Sequence, residues 1–139
     1  DGEGANCLLE VLVEGAKNNS DAIKMAKSIC NSSLVKTAIH GCDPNWGRII
    51  SAAGNSGIDF KLDVVDLYIG DFQILKKGKL NKFDVNKVAN YMRTKMNGKY
   101  LVEDIISITL NLHSGTSNGT AWGCDLSKKY VEINSEYTT

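Results

Sequence analysis

Ile106-Ser107-Ile108-Thr109-Leu110-Asn111-Leu112-His113 alternates apolar and polar residues without a break. Successive side chains of an extended chain point to opposite faces, so this stretch reads as a half-buried strand. Ile106, Ile108, Leu110 and Leu112 face inward, and Ser107, Thr109, Asn111 and His113 face out. Downstream, Asn118-Gly119 is a turn signal and a strand through Trp122 follows, so residues 104–124 are expected as a hairpin. Asp125 is placed to cap a short last helix carrying Leu126, Tyr130 and Ile133. Upstream, Asp84 caps a helix with Val85, Val88, Ala89, Met92 and Met96 at helical spacing, closed by Asn97-Gly98. Its Met stripe reads as core rather than as a cofactor box. Before it, Leu62 to Ile69 reads as a strand, Gly70-Asp71 as a turn and Phe72 to Leu75 as a return strand. Lys76, Lys77, Lys79 and Lys82 surround Gly78 as a solvated loop.

The first third continues the mixture. Residues 7–14 read as a strand, with Leu9, Val11 and Val13 on one face and Leu8, Glu10, Leu12 and Glu14 on the other, ended by Gly15. Ser20 is a good N-cap for a helix whose apolar stripe is Ala22, Ile23, Ala26, Ile29 and Cys30. Leu34 to Ile39 is a short apolar segment that reads as a strand. Asp43-Pro44 then gives a cap and a first helical residue whose missing N–H costs nothing. Trp46, Ile49, Ile50 and Ala53 follow at i, i+3, i+4 and i+7, which predicts a helix over 44–53 stopped by Gly54. The expected fold is α+β: helices packed on a mixed β-sheet made largely of antiparallel hairpins. No repeat, low-complexity segment or linker divides the chain, so residues 1–139 form a single piece.

The chain has 139 residues, 42% hydrophobic and 23% charged, with 16 basic and 16 acidic side chains. A disordered chain would be poorer in apolar residues and carry more net charge. A nucleic-acid binder driven by counterion release needs a basic face, which zero net charge and only two arginines, Arg48 and Arg93, do not offer. No apolar run approaches the roughly 20 residues that span a bilayer. No membrane or nucleic-acid partner is expected. The chain opens at Asp1-Gly2-Glu3-Gly4 without Met and without a signal peptide, which reads as a processed or cut chain. Cys7, Cys30, Cys42 and Cys124 form no C-x-x-C pair, and the only histidines are His40 and His113. No metal site is expected, and the cysteines read as reduced small hydrophobes of a cytoplasmic protein.

Chemistry has few footholds in the residues themselves. Gly2-Glu3-Gly4 sets a carboxylate between glycines, which suits close backbone approach to a ligand and equally a surface turn. Asp43, Asn45 and Arg48 cluster at one helix N-terminus, where an anion could sit or plain capping could suffice. Cys42 precedes that helix, which would lower its pKa, but no base is identifiable beside it. His40, expected on a short loop, and His113, expected on the polar face of its strand, have no sequence neighbour that forces a triad. Ser114-Gly115-Thr116-Ser117-Asn118-Gly119 fits no phosphate-loop pattern and reads as a turn.

Three stretches carry a resemblance. Leu34-Val35-Lys36-Thr37-Ala38-Ile39-His40-Gly41 runs into Asp43-Pro44-Asn45-Trp46-Gly47-Arg48-Ile49. Asp1-Gly2-Glu3-Gly4-Ala5 stands upstream. Trp122-Gly123-Cys124-Asp125-Leu126, Tyr130-Val131 and Ile133-Asn134-Ser135-Glu136-Tyr137-Thr138-Thr139 close the chain. Together they resemble the bifunctional ornithine acetyltransferase / N-acetylglutamate synthase family of arginine biosynthesis. Residues 58–100 match it only in pattern. The resemblance implies a precursor that cuts itself before a threonine into an α and a β chain. The new N-terminal threonine takes acetyl from N-acetylornithine and passes it to glutamate, and acetyl-CoA stands open as a second donor. No cofactor is implied. This sequence would be the C-terminal portion of the β chain, with the nucleophile and the oxyanion donors outside it. Its implied partners are the α chain and the N-terminal part of the β chain, in an oligomer of αβ units. Glu3, Asn134 and Thr139 are the implied substrate-binding residues. Glu3 suits the amines of the substrates, and the Asn134 amide can both donate and accept. An N-terminal-nucleophile amidohydrolase or aminopeptidase on a related scaffold is the alternative.

Overall fold

A computed structural model describes residues 7–96 and 104–125. Their order is β1 (Leu8–Ala16), α1 (Asn19–Cys30), α2 (Ser33–His40), α3 (Trp46–Gly54), a 3-10 turn (Leu62–Val64), β2 (Asp66–Ile69), β3 (Phe72–Lys76), β4 (Lys79–Leu80), α4 (Val85–Arg93), β5 (Ile105–Asn111) and β6 (Ser117–Cys124). The six strands form one sheet in the order β4-β3-β2-β5-β1-β6. β1 and β5 run parallel, and the other neighbours are antiparallel. This is the expected α+β arrangement of helices on a mixed sheet. Leu9, Val11, Val13, Ile106, Ile108, Leu110, Leu67 and Ile69 form the inward face. The buried stripes of all four helices join them in one core.

The local signals set most elements. Asp84 caps α4 through its side chain, which accepts from the backbone N–H of Asn86 and Lys87. Gly70, at φ 57°, makes the β2–β3 turn. The second strand is shorter than expected: only Asp66–Ile69 is extended, and Leu62–Val64 is a 3-10 turn. Asn18, not Ser20, caps α1, and Met25 rather than Ile23 belongs to its buried stripe. α3 starts at Trp46, with Asn45 as its N-cap, so Asp43 is not the cap. Trp46 stays 39% exposed, and Ile49, Ala52 and Ala53 are the buried positions. The expected Asn97-Gly98 stop and the helix after Asp125 lie outside the described residues.

Three further expectations are overturned. Leu34–Ile39 is helical, not extended. Ser32 caps it by accepting from Val35 N–H, and Val35, Ala38 and Ile39 bury at i, i+3 and i+4. Eight residues are too few for periodicity to separate strand from helix, and packing of the apolar face decides. Asn118-Gly119 is not a turn but part of β6. A Cβ at Gly119 would lie 2.6 Å from the Ile23 backbone nitrogen, so the glycine admits α1 against the strand. Residues 104–124 are not a hairpin, because β1 lies between β5 and β6 and pairs with both. β1 is the strand with the most continuous buried face, and a central position pairs its backbone on both edges.

Candidate functional site

The start of β1 and the end of β6 meet at one end of the sheet. Leu8 pairs with Cys124, which sets Cys7 beside Asp125. The Cys7 N–H donates to Asp125 Oδ1 at 3.0 Å, and the Asp125 N–H donates to the Cys7 carbonyl at 3.3 Å. His40, the last residue of α2, brings Nδ1 to 2.7 Å from Asp125 Oδ2. Asp125 is fully buried, whereas the His40 side chain is one-third exposed. With Nδ1–H donating to the carboxylate, the imidazole is held in one orientation with Nε2 turned away from the pair. A second fully buried carboxylate, Asp104, directly precedes β5, whose first residue Ile105 pairs with Leu8. The sequence reading placed His40 on a loop and missed both Asp104 and the pairing with Asp125. The two partners stand 85 residues apart, and nothing local links them.

The segments that carry Glu3, Asn134 and Thr139 lie outside the described residues. What the fold does fix is where they join it. Glu3 precedes Cys7 by four positions and Asn134 follows Asp125 by nine, and Cys7 and Asp125 are hydrogen-bonded neighbours. Four residues of extended chain span at most about 14 Å.

The Asp43, Asn45 and Arg48 cluster is brought together and spent on structure. Asn45 Oδ1 accepts from Arg48 N–H, Asn45 Nδ2 donates to Asp43 Oδ2, and the Arg48 guanidinium donates to the Leu34 carbonyl. That last bond ties α3 to the start of α2. Capping therefore accounts for the cluster. Cys42 departs from expectation: burial pushes its thiol up rather than the helix drawing it down. Burial likewise raises Cys7 and Cys124, and pushes Cys30 up to about 11. A thiolate nucleophile is disfavoured at all four positions.

A second His–Asp pair stands at the opposite end of the sheet. His113 is not on the strand face but beyond β5, at φ 49°, with Nε2 2.7 Å from Asp66 Oδ2. Asp66 Oδ1 accepts from the Lys77 N–H at 2.9 Å. Burial pushes Asp66 up, but the Lys77 N–H and His113 outweigh it and hold the carboxyl below its ordinary range. His113 borders an open cavity of about 450 Å³ with Lys17, Asp59, Phe60, Lys61, Val64 and Ser114. No group of three metal-ligating side chains forms among the described residues. Nor is any described helix long and apolar enough to cross a membrane.

The model of the ArgJ family matches residues 1–139, the whole sequence. The chain belongs to the ArgJ family. Among its relatives is the arginine biosynthesis bifunctional protein ArgJ of Prochlorococcus marinus subsp. pastoris, 88% identical over all 139 residues, which cover 35% of that protein. The ArgJ of Dehalococcoides mccartyi is 50% identical over the same span, 32% of its length. The crystal structure of ArgJ from Bacillus halodurans superimposes with a TM-score of 0.88 at 44% identity, covering 99% of this chain and 61% of that one. The chain thus spans about a third of the length of the curated ArgJ relatives it matches.

Proposed function

We propose that this chain is the C-terminal portion of the β chain of a glutamate N-acetyltransferase of arginine biosynthesis. In the complete αβ enzyme a threonine hydroxyl attacks the acetyl carbonyl of N-acetylornithine. The amide C–N bond breaks, ornithine leaves with the proton, and an acetyl ester remains on the threonine. The glutamate amine then attacks the ester, forms N-acetylglutamate and returns the hydroxyl. Splitting one hard step into two is the benefit of a covalent intermediate. The observation that carries this reading is the match of all 139 residues to part of relatives named arginine biosynthesis bifunctional protein ArgJ.

Within this chain, Glu3, Asn134 and Thr139 are the substrate-binding residues: Glu3 complements a substrate amine, and Asn134 and Thr139 position the rest. The adjacency of Cys7 and Asp125 supports the grouping, because it starts both segments from one point of the fold. The nucleophile lies outside these residues, so the 139 residues alone are expected to be inactive. The enzyme works in the cytoplasm as an oligomer of αβ units and needs no cofactor.

The test is the complete αβ protein with N-acetylornithine and glutamate. Stoichiometric N-acetylglutamate supports the proposal, and acetate released to water without transfer overturns it in favour of an amidohydrolase. Glu3→Gln replaces a charge-assisted contact worth roughly 1.5–3 kcal/mol with a neutral one worth roughly 0.5–1.5 kcal/mol, so kcat/KM should fall about five- to tenfold. Unchanged kinetics would remove Glu3 from the site.

A further inference from the structure

All four helices bury their apolar stripes on one side of the sheet. Among the described residues, no element covers the other side. The strand register places Leu8 beside Ile105 at one end of that bare face. Two residues further along β1, Glu10 pairs with Trp122, and the next row sets Leu12 beside Thr109 and Tyr68. Trp122 is 65% exposed, the most exposed of the large apolar side chains among the described residues. Its Nε1–H donates to Glu10 Oε2 at 3.0 Å, which ties the indole to the neighbouring strand. A fixed, exposed tryptophan among half-buried leucine, isoleucine and tyrosine has the make-up of an interface centre rather than of a solvated sheet.

Across the four adjoining strands β2, β5, β1 and β6 the charge on this face has one sign, and the lysines Lys76 and Lys79 lie beyond them on strands β3 and β4. Glu10, Glu14 and Asp66 lie on it by register, and β1, β2, β5 and β6 contain no lysine or arginine. A second copy meeting this face with its own would set acidic residues against acidic residues, which is costly at an interface. The ArgJ relatives extend to about three times the length of this chain, so most of the polypeptide is available to cover it.

We propose that in the complete protein the bare face is covered by the remainder of the same ArgJ polypeptide. That remainder presents an apolar ridge to Leu8, Leu12, Ile105 and Trp122, with lysine or arginine side chains opposite Glu10 and Glu14. The proposal rests on membership of the ArgJ family and on its greater length, not on the acetyl-transfer reading.

Hydroxyl-radical footprinting of the complete protein tests it, with Trp46 as an internal reference of the same residue type on the helix side of the sheet. In this chain by itself Trp122 is the more exposed of the two tryptophans. If the face is covered, Trp122 is oxidised several-fold more slowly than Trp46, and dilution below the dissociation of any oligomer leaves that protection intact. Faster oxidation of Trp122 would overturn the proposal. Protection lost on dilution would also overturn it, in favour of a second copy. Thr120→Arg puts a bulky charge on the same face at a half-buried strand position. It should restore Trp122 oxidation, whereas Leu80→Arg at the far edge of the sheet should not. If Thr120→Arg does not fold, the footprint of the unaltered protein decides alone. Acetyl transfer measured on the same samples separates the two readings, since protection without transfer leaves the docking face standing.

Discussion

The two ends of the sheet carry the same pair of residue types at the same separation, 2.7 Å between an imidazole nitrogen and an aspartate oxygen. They differ in burial. Asp125 is sealed from water, and its other oxygen is taken by a backbone N–H of the first residue before β1. Asp66 is one-fifth exposed, and its histidine is nearly half exposed. A buried carboxylate cannot fall back on water when a partner is lost, whereas a half-exposed one can. The first pair therefore fixes the joint between the start of β1, the end of β6 and the end of α2, and the second trims a surface turn.

The strongest way to break this comparison is Asp125→Ala. It leaves the Cys7 N–H without its side-chain acceptor and removes the bond from His40, so it should cost about 4 kcal/mol. Urea denaturation of the complete protein measures it. A cost below that of the Asp66 variant would invert the comparison. Asp125→Asn, which keeps an acceptor for Cys7, should recover part of the loss.

Gly15→Ala attacks the other end through the backbone. Gly15 sits at φ 68°, and a Cβ there would lie 2.4 Å from Asn111 Oδ1 and 2.8 Å from the His113 backbone nitrogen. Left-handed strain and the displaced His113 turn should together cost about 3 kcal/mol. An unchanged melting temperature would mean that the turn holding His113 yields freely.

Asp66→Asn should cost the least, about 0.5–1 kcal/mol at neutral pH, and less at high salt. Its signature is in the acid limb. The folded Asp66 carboxyl titrates below the ordinary value of 3.8. It binds protons less readily than the unfolded one, so its contribution is complete above 3.8 and is lost as pH falls through the lowered value. Stability measured against pH in the wild type and in Asp66→Asn should converge on acidification below 3.8. A constant gap across that range would show that His113 and Lys77 do not act on the ionised carboxylate.

Sequence alone determined the elements that rest on short-range physics. Asp84 caps its helix by reaching backbone groups two and three residues away, Gly70 turns the chain within itself, and the alternation of residues 105–111 orients a strand. The family was legible too, from runs such as Asp43-Pro44-Asn45-Trp46-Gly47-Arg48, although Asn45 and Arg48 turned out to serve capping and the tie between α3 and α2. The tertiary structure alone decided what depends on residues far apart in the chain. It inserted β1 between β5 and β6, turned Leu34–Ile39 into a helix, and used Gly119 for helix contact instead of a turn. It also joined His40 to Asp125 and His113 to Asp66, across 85 and 47 residues. Local patterns encode which face of a segment is apolar, but not which distant segment will cover it. That choice is made when the whole core closes, because only then are buried edges paired and buried carboxylates given their donors.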